Sequence, residues 1–261
     1  HDRFTVVAGR THSELGYWNN AFHHGTWLQP SVERPRALRF EDDGGLLPVH
    51  WVGVSGEVRY PVGRGQLRSS LAVGNGRGAV GSEIRVSSDL NAAKAVNLVL
   101  SLDNVVAPSA YVGVTALVDR IRGEAADVRA ALPDTAITEL VTSVFGAYRG
   151  DPWTAVAEGY YLHHAFADRS TKALFGFVLL SYAHHRYSPY GMIEGRVSYG
   201  GDDPYFVPTP GVSSRVENFA AANIGLRIEL STWSSFKIEG QAVRGGDQDE
   251  FAAVVDWAFG L

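Results

Sequence analysis

Apolar and polar residues alternate along this chain with a period of two. In 223–230 the even positions are Ile224, Leu226, Ile228 and Leu230, and the odd ones Asn223, Gly225, Arg227 and Glu229. Residues 236–243 set Phe236, Ile238, Gly240 and Ala242 against Lys237, Glu239, Gln241 and Val243. The last segment places Phe251, Ala253, Val255, Trp257, Phe259 and Leu261 on one side and Asp256 on the other. Successive side chains of a β-strand point to opposite faces, so each segment has one greasy and one wet side. Earlier segments repeat the pattern: Val52, Val54, Val58 and Tyr60 oppose Ser55, Glu57 and Arg59, and Val96, Leu98, Leu100 and Leu102 oppose Asn97, Ser101 and Asp103.

Alternation and flanking turn residues predict about twelve strands: 4–12, 49–60, 66–74, 95–103, 111–119, 137–148, 153–163, 172–184, 190–199, 221–230, 235–244 and 251–261. The connections carry the topology. Tight or short links at 61–65, 104–110, 149–152, 185–189 and 231–234 alternate with longer ones at 75–94, 120–136, 164–171 and 200–220. The link at 13–48 is the longest, and 245–250 is a modest member of the long set. A short–long rhythm in an all-β chain predicts an antiparallel up-and-down transmembrane β-barrel, with long loops at one rim and tight turns at the other. A single barrel domain over 1–261 follows, its 13–48 loop either extracellular or folded inward. Both termini fall on the tight-turn, periplasmic side. A water-soluble sandwich or lipocalin-like barrel is the competing reading of alternation alone. Residues 172–184 (KALFGFVLLSYAH) are apolar on both faces and predict a partner inside the barrel or in another subunit. The Ala-rich 122–132 predicts a short helix within a loop.

Composition narrows the picture only slightly. Among the 261 residues there is no cysteine, which excludes disulfides and thiol chemistry. A net charge of −5 and the absence of a basic run interleaved with aromatics exclude an obvious nucleic-acid partner. No run of about eighteen apolar residues is present, so no transmembrane helix is expected; closed barrels span lipid without one. The chain opens at His1 without an initiator Met or leader, which predicts a processed form or a fragment with upstream strands absent. Tyr60, Tyr111, Tyr148, Trp153, Tyr190, Tyr199, Trp233 and Trp257 lie near strand ends, as in an aromatic girdle.

The segments FTVVAGRTHSELGYWN, NIGLRIELSTWSSFKIEGQAVR and VVDWAFGL together resemble the porin-type outer-membrane proteins of Gram-negative bacteria. The likeness is to phosphate-selective and related porins: a strand-and-loop opening, a penultimate hairpin with a Trp-containing turn, and an alternating C-terminal strand. The chain departs from that pattern by ending on Leu261 rather than an aromatic. The resemblance implies the bacterial outer membrane, with bilayer, lipopolysaccharide, the barrel-assembly machinery and small hydrophilic solutes as partners, and leaves oligomerisation open. The basic ladder of a phosphate-selective pore is not evident, so that specificity does not carry over.

Two sets of candidate residues follow. The longest loop contains Arg34, Arg36 and Arg39 followed by Glu41, Asp42 and Asp43, opposed charges suited to a constriction with a transverse field; a solvated surface loop is the alternative. The strands offer a lumen-facing set: Arg10, Glu57, Arg59, Arg68, Asp103, Glu139, Glu158, Glu194, Arg196, Arg227, Glu229, Lys237, Glu239 and Asp256. A charge facing lipid near the midplane costs about 2–4 kcal/mol for Arg or Lys, which argues for the lumen.

The histidine pairs His23–His24, His163–His164 and His184–His185 suggest metal binding, but neighbours in a strand face opposite ways and the spacing matches no ligand pattern. GNGRGAVG at 74–81 lies between two strands and does not open a helix. Ser181 near His184 suggests a hydrolase, yet no nucleophile elbow surrounds it. The expectation is therefore no metal, no cofactor, no catalytic residue and no enzymatic activity: a porin-like channel for passive diffusion of small hydrophilic solutes. The alternatives are a non-conducting structural or binding barrel and a lipid-modifying hydrolase.

Overall fold

A computed structural model describes residues 3–22, 26–39, 45–77, 93–121, 136–201, 203, 205–206, 218–245 and 249–260. Twelve strands are present: β1 (Phe4–His12), β2 (His50–Val62), β3 (Gly65–Asn75), β4 (Lys94–Asp103), β5 (Ala110–Ile121), β6 (Ile137–Arg149), β7 (Trp153–Ala165), β8 (Ser170–Tyr182), β9 (Tyr187–Tyr199), β10 (Phe219–Ser231), β11 (Ser234–Gly245) and β12 (Glu250–Phe259). Each pairs antiparallel with its sequence neighbours, giving one sheet in the order β1 to β12. This is the up-and-down arrangement expected from the rhythm of the connections. β1 and β12 are the sheet edges, and no pairing joins them among the described residues. Strands of 9 to 13 residues suit a tilted bilayer crossing.

Burial follows the two-residue period. In β4, Ala95, Asn97, Val99 and Ser101 are buried while Val96, Leu98 and Leu100 are exposed. In β8, Thr171, Ala173, Phe175, Phe177, Leu179 and Ser181 are buried, and the intervening Leu174, Val178 and Leu180 face out. The outer face is a broad apolar belt, with Val144, Ile193, Ile224 and Val255 each more than 60% exposed. Soluble proteins rarely expose apolar patches beyond a few hundred Å², so this face suits lipid and the soluble reading falls. Aromatic side chains crowd the tight-turn rim: Tyr60, Tyr148, Trp153, Tyr182, Tyr187, Trp233 and Trp257 are all exposed there. Two aromatics expected in that girdle point the other way. Tyr190 is buried at 4% exposure, and Tyr111 packs its ring against Tyr17 at 5.2 Å on the inner side.

The inner face is covered by the connection between β1 and β2. Among the described residues that segment holds one short helix, α1 (Trp18–Ala21), and a 3₁₀ turn at Arg36–Leu38. Its Leu15, Trp18, Phe22, Leu38 and Leu47 are at most 1% exposed and belong to one apolar cluster with Leu117, Val141, Phe175, Phe177 and Leu179 from the wall. Trp18 meets Phe177 edge-on at 5.5 Å. This explains the doubly apolar β8: its second greasy face meets the inward segment. The helix expected at 122–132 falls outside the described residues, as does 78–81.

Ile193 lies mid-strand on the outer face and Leu102 near a strand end on the same face. Arg at Ile193 is expected to destabilise the barrel by about 2–4 kcal/mol, and Arg at Leu102 by about 0–1 kcal/mol. Urea unfolding in phospholipid vesicles measures both, and equal costs would contradict the bilayer placement.

Candidate functional site

The site is the space between the inward segment and the inner wall. On one side the segment is sealed to β7–β11. Glu158 of β7 accepts the Trp18 backbone N–H at 2.6 Å and also the Tyr160 hydroxyl. Gly16 makes this approach possible: its φ is +78°, and a Cβ there would collide with the Glu158 carboxylate and the Tyr160 hydroxyl. Further along, the Val32 N–H reaches Tyr190 Oη and Glu239 Oε2, each at 3.2 Å. The Arg36 N–H donates to Glu194 at 2.6 Å. Lys237 donates to the carbonyls of Thr26 and Ser31, the latter at 3.0 Å, and lies 3.4 Å from Asp256. Arg227 donates to the carbonyls of Trp27 at 2.7 Å and Gln29 at 3.0 Å, with its guanidinium over the Trp27 ring at 5.0 Å. Wall charges thus serve as partners for backbone groups that would otherwise be buried bare, a loss of about 1–3 kcal/mol apiece.

Against β2–β4 the segment's Leu15, Leu46 and Leu47 share one apolar cluster with Trp51, Ala72 and Ala95. A cavity of about 210 Å³ remains beside β1–β4, lined by Thr11, His12, Ser13, Glu14, Asn19, Asn20, Ser55 and Asn97 together with the apolar Val7, Trp51 and Ala72. Beside it Arg68 bridges Glu14 of the segment, at 2.5 Å, and Glu57 of β2; Arg59 contacts the same Glu57 at 2.5 Å. Arg68 of β3 therefore ties the inward segment to the wall through Glu14.

A second polar cluster caps the long-loop rim above β5–β8. His164 holds Glu139 at 2.9 Å through Nε2 and Asp203 at 2.8 Å through Nδ1, and Thr171 donates to Asp203 at 2.5 Å. Arg77 joins through Glu139 at 3.1 Å, donates its backbone N–H to Asp119 at 2.6 Å, and also bonds the Leu46 carbonyl. Tyr205 and Phe206 lie against the Arg77 guanidinium at 5.7 and 5.6 Å. Three connections are thereby latched to the wall. Burial pushes the Asp203 carboxyl up, but the His164 and Thr171 hydrogen bonds outweigh it and hold the group below the usual carboxylate range.

Of the sequence candidates, Glu57, Arg59, Arg68, Glu194, Arg196, Arg227, Glu229, Lys237 and Glu239 lie on inner-face positions of their strands. Arg10 does not. Its register partner is Val52, and it shares a face with Phe4, Val6 and Ala8, so it projects outward near the long-loop end of β1. A single residue of register inverts the side, and β1 alternates too weakly to reveal it. Arg34, Arg36 and Arg39 lie half-buried in the inward segment, with Arg39 3.4 Å from Glu33. Glu41, Asp42 and Asp43 fall outside the described residues, as do His23 and His24. His163 and His164 take opposite faces. Ser181 turns inward and donates to the Pro189 carbonyl at 3.3 Å, whereas His184 sits exposed in the β8–β9 turn. Tyr160, Glu14 and Asp203 were not singled out in the sequence, and Tyr190 was placed only in the aromatic girdle, since each matters for what a distant segment brings to it. Among the described residues no group of three His, Asp or Glu is placed to hold a metal ion.

Gly16→Ala is expected to undock the inward segment, raising hydrogen exchange at Trp18 and Val32 at least about tenfold while the strands stay protected. Because Asp203 is held low, its contacts are complete above the ordinary aspartate pKa of about 4 and are lost as pH falls below it. Hydrogen exchange at the Tyr205 amide, which donates to Asp203 at 2.9 Å, is expected to rise only below about pH 4. A rise beginning near pH 6 would contradict that hold.

No family model and no curated protein matches the sequence. A solved structure does: OmpTdeltaL8, the loop L8 deletion mutant of OmpT, an outer membrane protein of Vibrio cholerae. The TM-score is 0.62 at 10% identity, over 99% of this chain and 76% of that one. The narrower likeness to phosphate-selective porins finds no support in it. The expectation of no enzymatic activity is also corrected. The match is to an outer-membrane barrel as such, and a barrel carries catalytic sites as readily as channels, so the fold removes the ground for excluding an enzyme. What the comparison and the strand order establish together is that this chain has the fold of an outer-membrane β-barrel.

Proposed function

We propose that the chain forms a diffusion channel for small hydrophilic solutes in a bacterial outer membrane, with long loops outward and tight turns and termini on the periplasmic side. The observation that carries this reading is the asymmetry of the inner segment. It is held by buried hydrogen bonds to β7–β11, while beside β1–β4 it leaves a cavity of about 210 Å³ next to the Arg68–Glu14 pair. A segment fixed on one flank narrows a passage without filling it. The ion pairs at Arg68 and Glu14 would tune which ions pass.

A non-conducting barrel is the second reading. It is favoured by the apolar cluster of Leu15, Trp18, Phe22, Leu38 and Leu47, which is built like a plug. An enzymatic role has no assembled nucleophile and base to support it at Ser181 and His184, and a lipid-hydrolysis assay on purified protein addresses it directly.

Planar-bilayer recording separates the first two. The channel reading expects stepwise currents, and Arg68→Glu is expected to shift the reversal potential toward cations. Absence of steps from correctly folded protein would sink it.

A further inference from the structure

The outer wall of β7–β9 departs from the uniform apolar belt. Its register stacks three outward rows, each two residues apart along the strands. The row nearest the long-loop rim is His163, Lys172 and Tyr199; the next is Tyr161, Leu174 and Val197; the third is Gly159, Gly176 and Gly195. Three glycines side by side leave no side chains at mid-wall. The result is an open, mainly apolar trough of about 900 Å³ walled by Val144, Tyr161, Leu174 and Val197. Directly above it, Lys172 stands opposite His163, with the Tyr161 ring stacked 6.2 Å from the imidazole. No carboxylate occupies these rows.

We propose that this wall seats one phosphorylated acyl glycolipid of the outer leaflet, that is, a lipopolysaccharide-type lipid. Its phosphate would bind Lys172 and His163, and an acyl chain would lie in the trough beneath. Charge complementarity selects the occupant: two nitrogen donors facing each other across a strand pair suit one phosphate, and two basic groups held this close are eased by an anion between them. The apolar trough one to two rows below lies where a chain attached to that headgroup would run. The choice of leaflet rests on the reading that the long loops face outward.

Native mass spectrometry of the purified chain, after detergent exchange and addition of bis-phosphorylated lipid A or of phosphatidylglycerol, tests this. Lipid A is expected to be retained at one per chain and phosphatidylglycerol not. Lys172→Glu is expected to lower retention about tenfold. Gly159→Leu fills the trough, and the nearest atom to its Cβ, Val144 Cγ1, is 3.8 Å away, so the backbone need not move; it is expected to lower retention similarly with the barrel intact by circular dichroism. Equal retention of the two lipids would overturn the proposal. So would retention unaffected by both variants, or an oligomer lost in Gly159→Leu with no lipid mass, which would mean a second copy fills the trough. Retention is read without current, so a non-conducting barrel that still holds lipid A would sink the channel reading and support the seat.

Discussion

Every backbone N–H and C=O within a bilayer needs a partner inside the protein, and this constraint organises the rest of the molecule. It forces the spanning segments into one continuous antiparallel ladder, and the ladder commits each residue to one of two faces. Lipid takes the middle of the outer face, so charges at that depth are housed on the inner one, and outward charges such as Arg10 and Lys172 keep toward the long-loop rim. Glu57, Arg68, Glu158, Glu194, Lys237 and Glu239 are inside because the pleat leaves them no other place.

An inner wall so rich in charge needs something to bind, and the β1–β2 connection supplies it. The wall provides mainly carboxylates and cationic nitrogens, while the connection provides mainly backbone N–H and carbonyl groups. The match is complementary on β7–β11: carboxylates accept amides from Trp18, Val32 and Arg36, and cations donate to carbonyls of Thr26, Trp27, Gln29 and Ser31. Apolar burial adds about 1.5–3 kcal/mol for each large side chain removed from water, and Trp18, Phe22, Leu38 and Leu47 are all so removed. The polar bonds fix position more than they add stability, since desolvation offsets much of a buried ion pair.

Much of the fold was legible in the residues themselves. The twelve strands, their order and the inner or outer address of most charges follow from a period of two and from the spacing of turns. The doubly apolar β8 even announced a partner, inside the barrel or in another subunit, and the fold supplies the internal one. Arg10 shows where that logic fails, because β1 carries residues such as Thr5, Val7 and Gly9 that contrast too little with Phe4, Val6 and Ala8 to define a wet face. The aromatic girdle failed likewise at Tyr111 and Tyr190, where proximity to a strand end does not specify a side. The loop partners of Glu158, Tyr190 and His164 were illegible, because they come from segments 39 to 158 residues away through hydrogen bonds that no local pattern encodes.

The amino-acid sequence alone therefore determined the sheet, its topology and its two-sided chemistry, since alternation and turn spacing are local properties read strand by strand. The tertiary structure decided where the inward segment is hydrogen-bonded to the wall and where it leaves a cavity. Loop placement is a contest between long-range contacts: Gly16 must admit Glu158, and Lys237 and Arg227 must find carbonyls of the same segment. Only the folded sheet brings those groups within reach of one another.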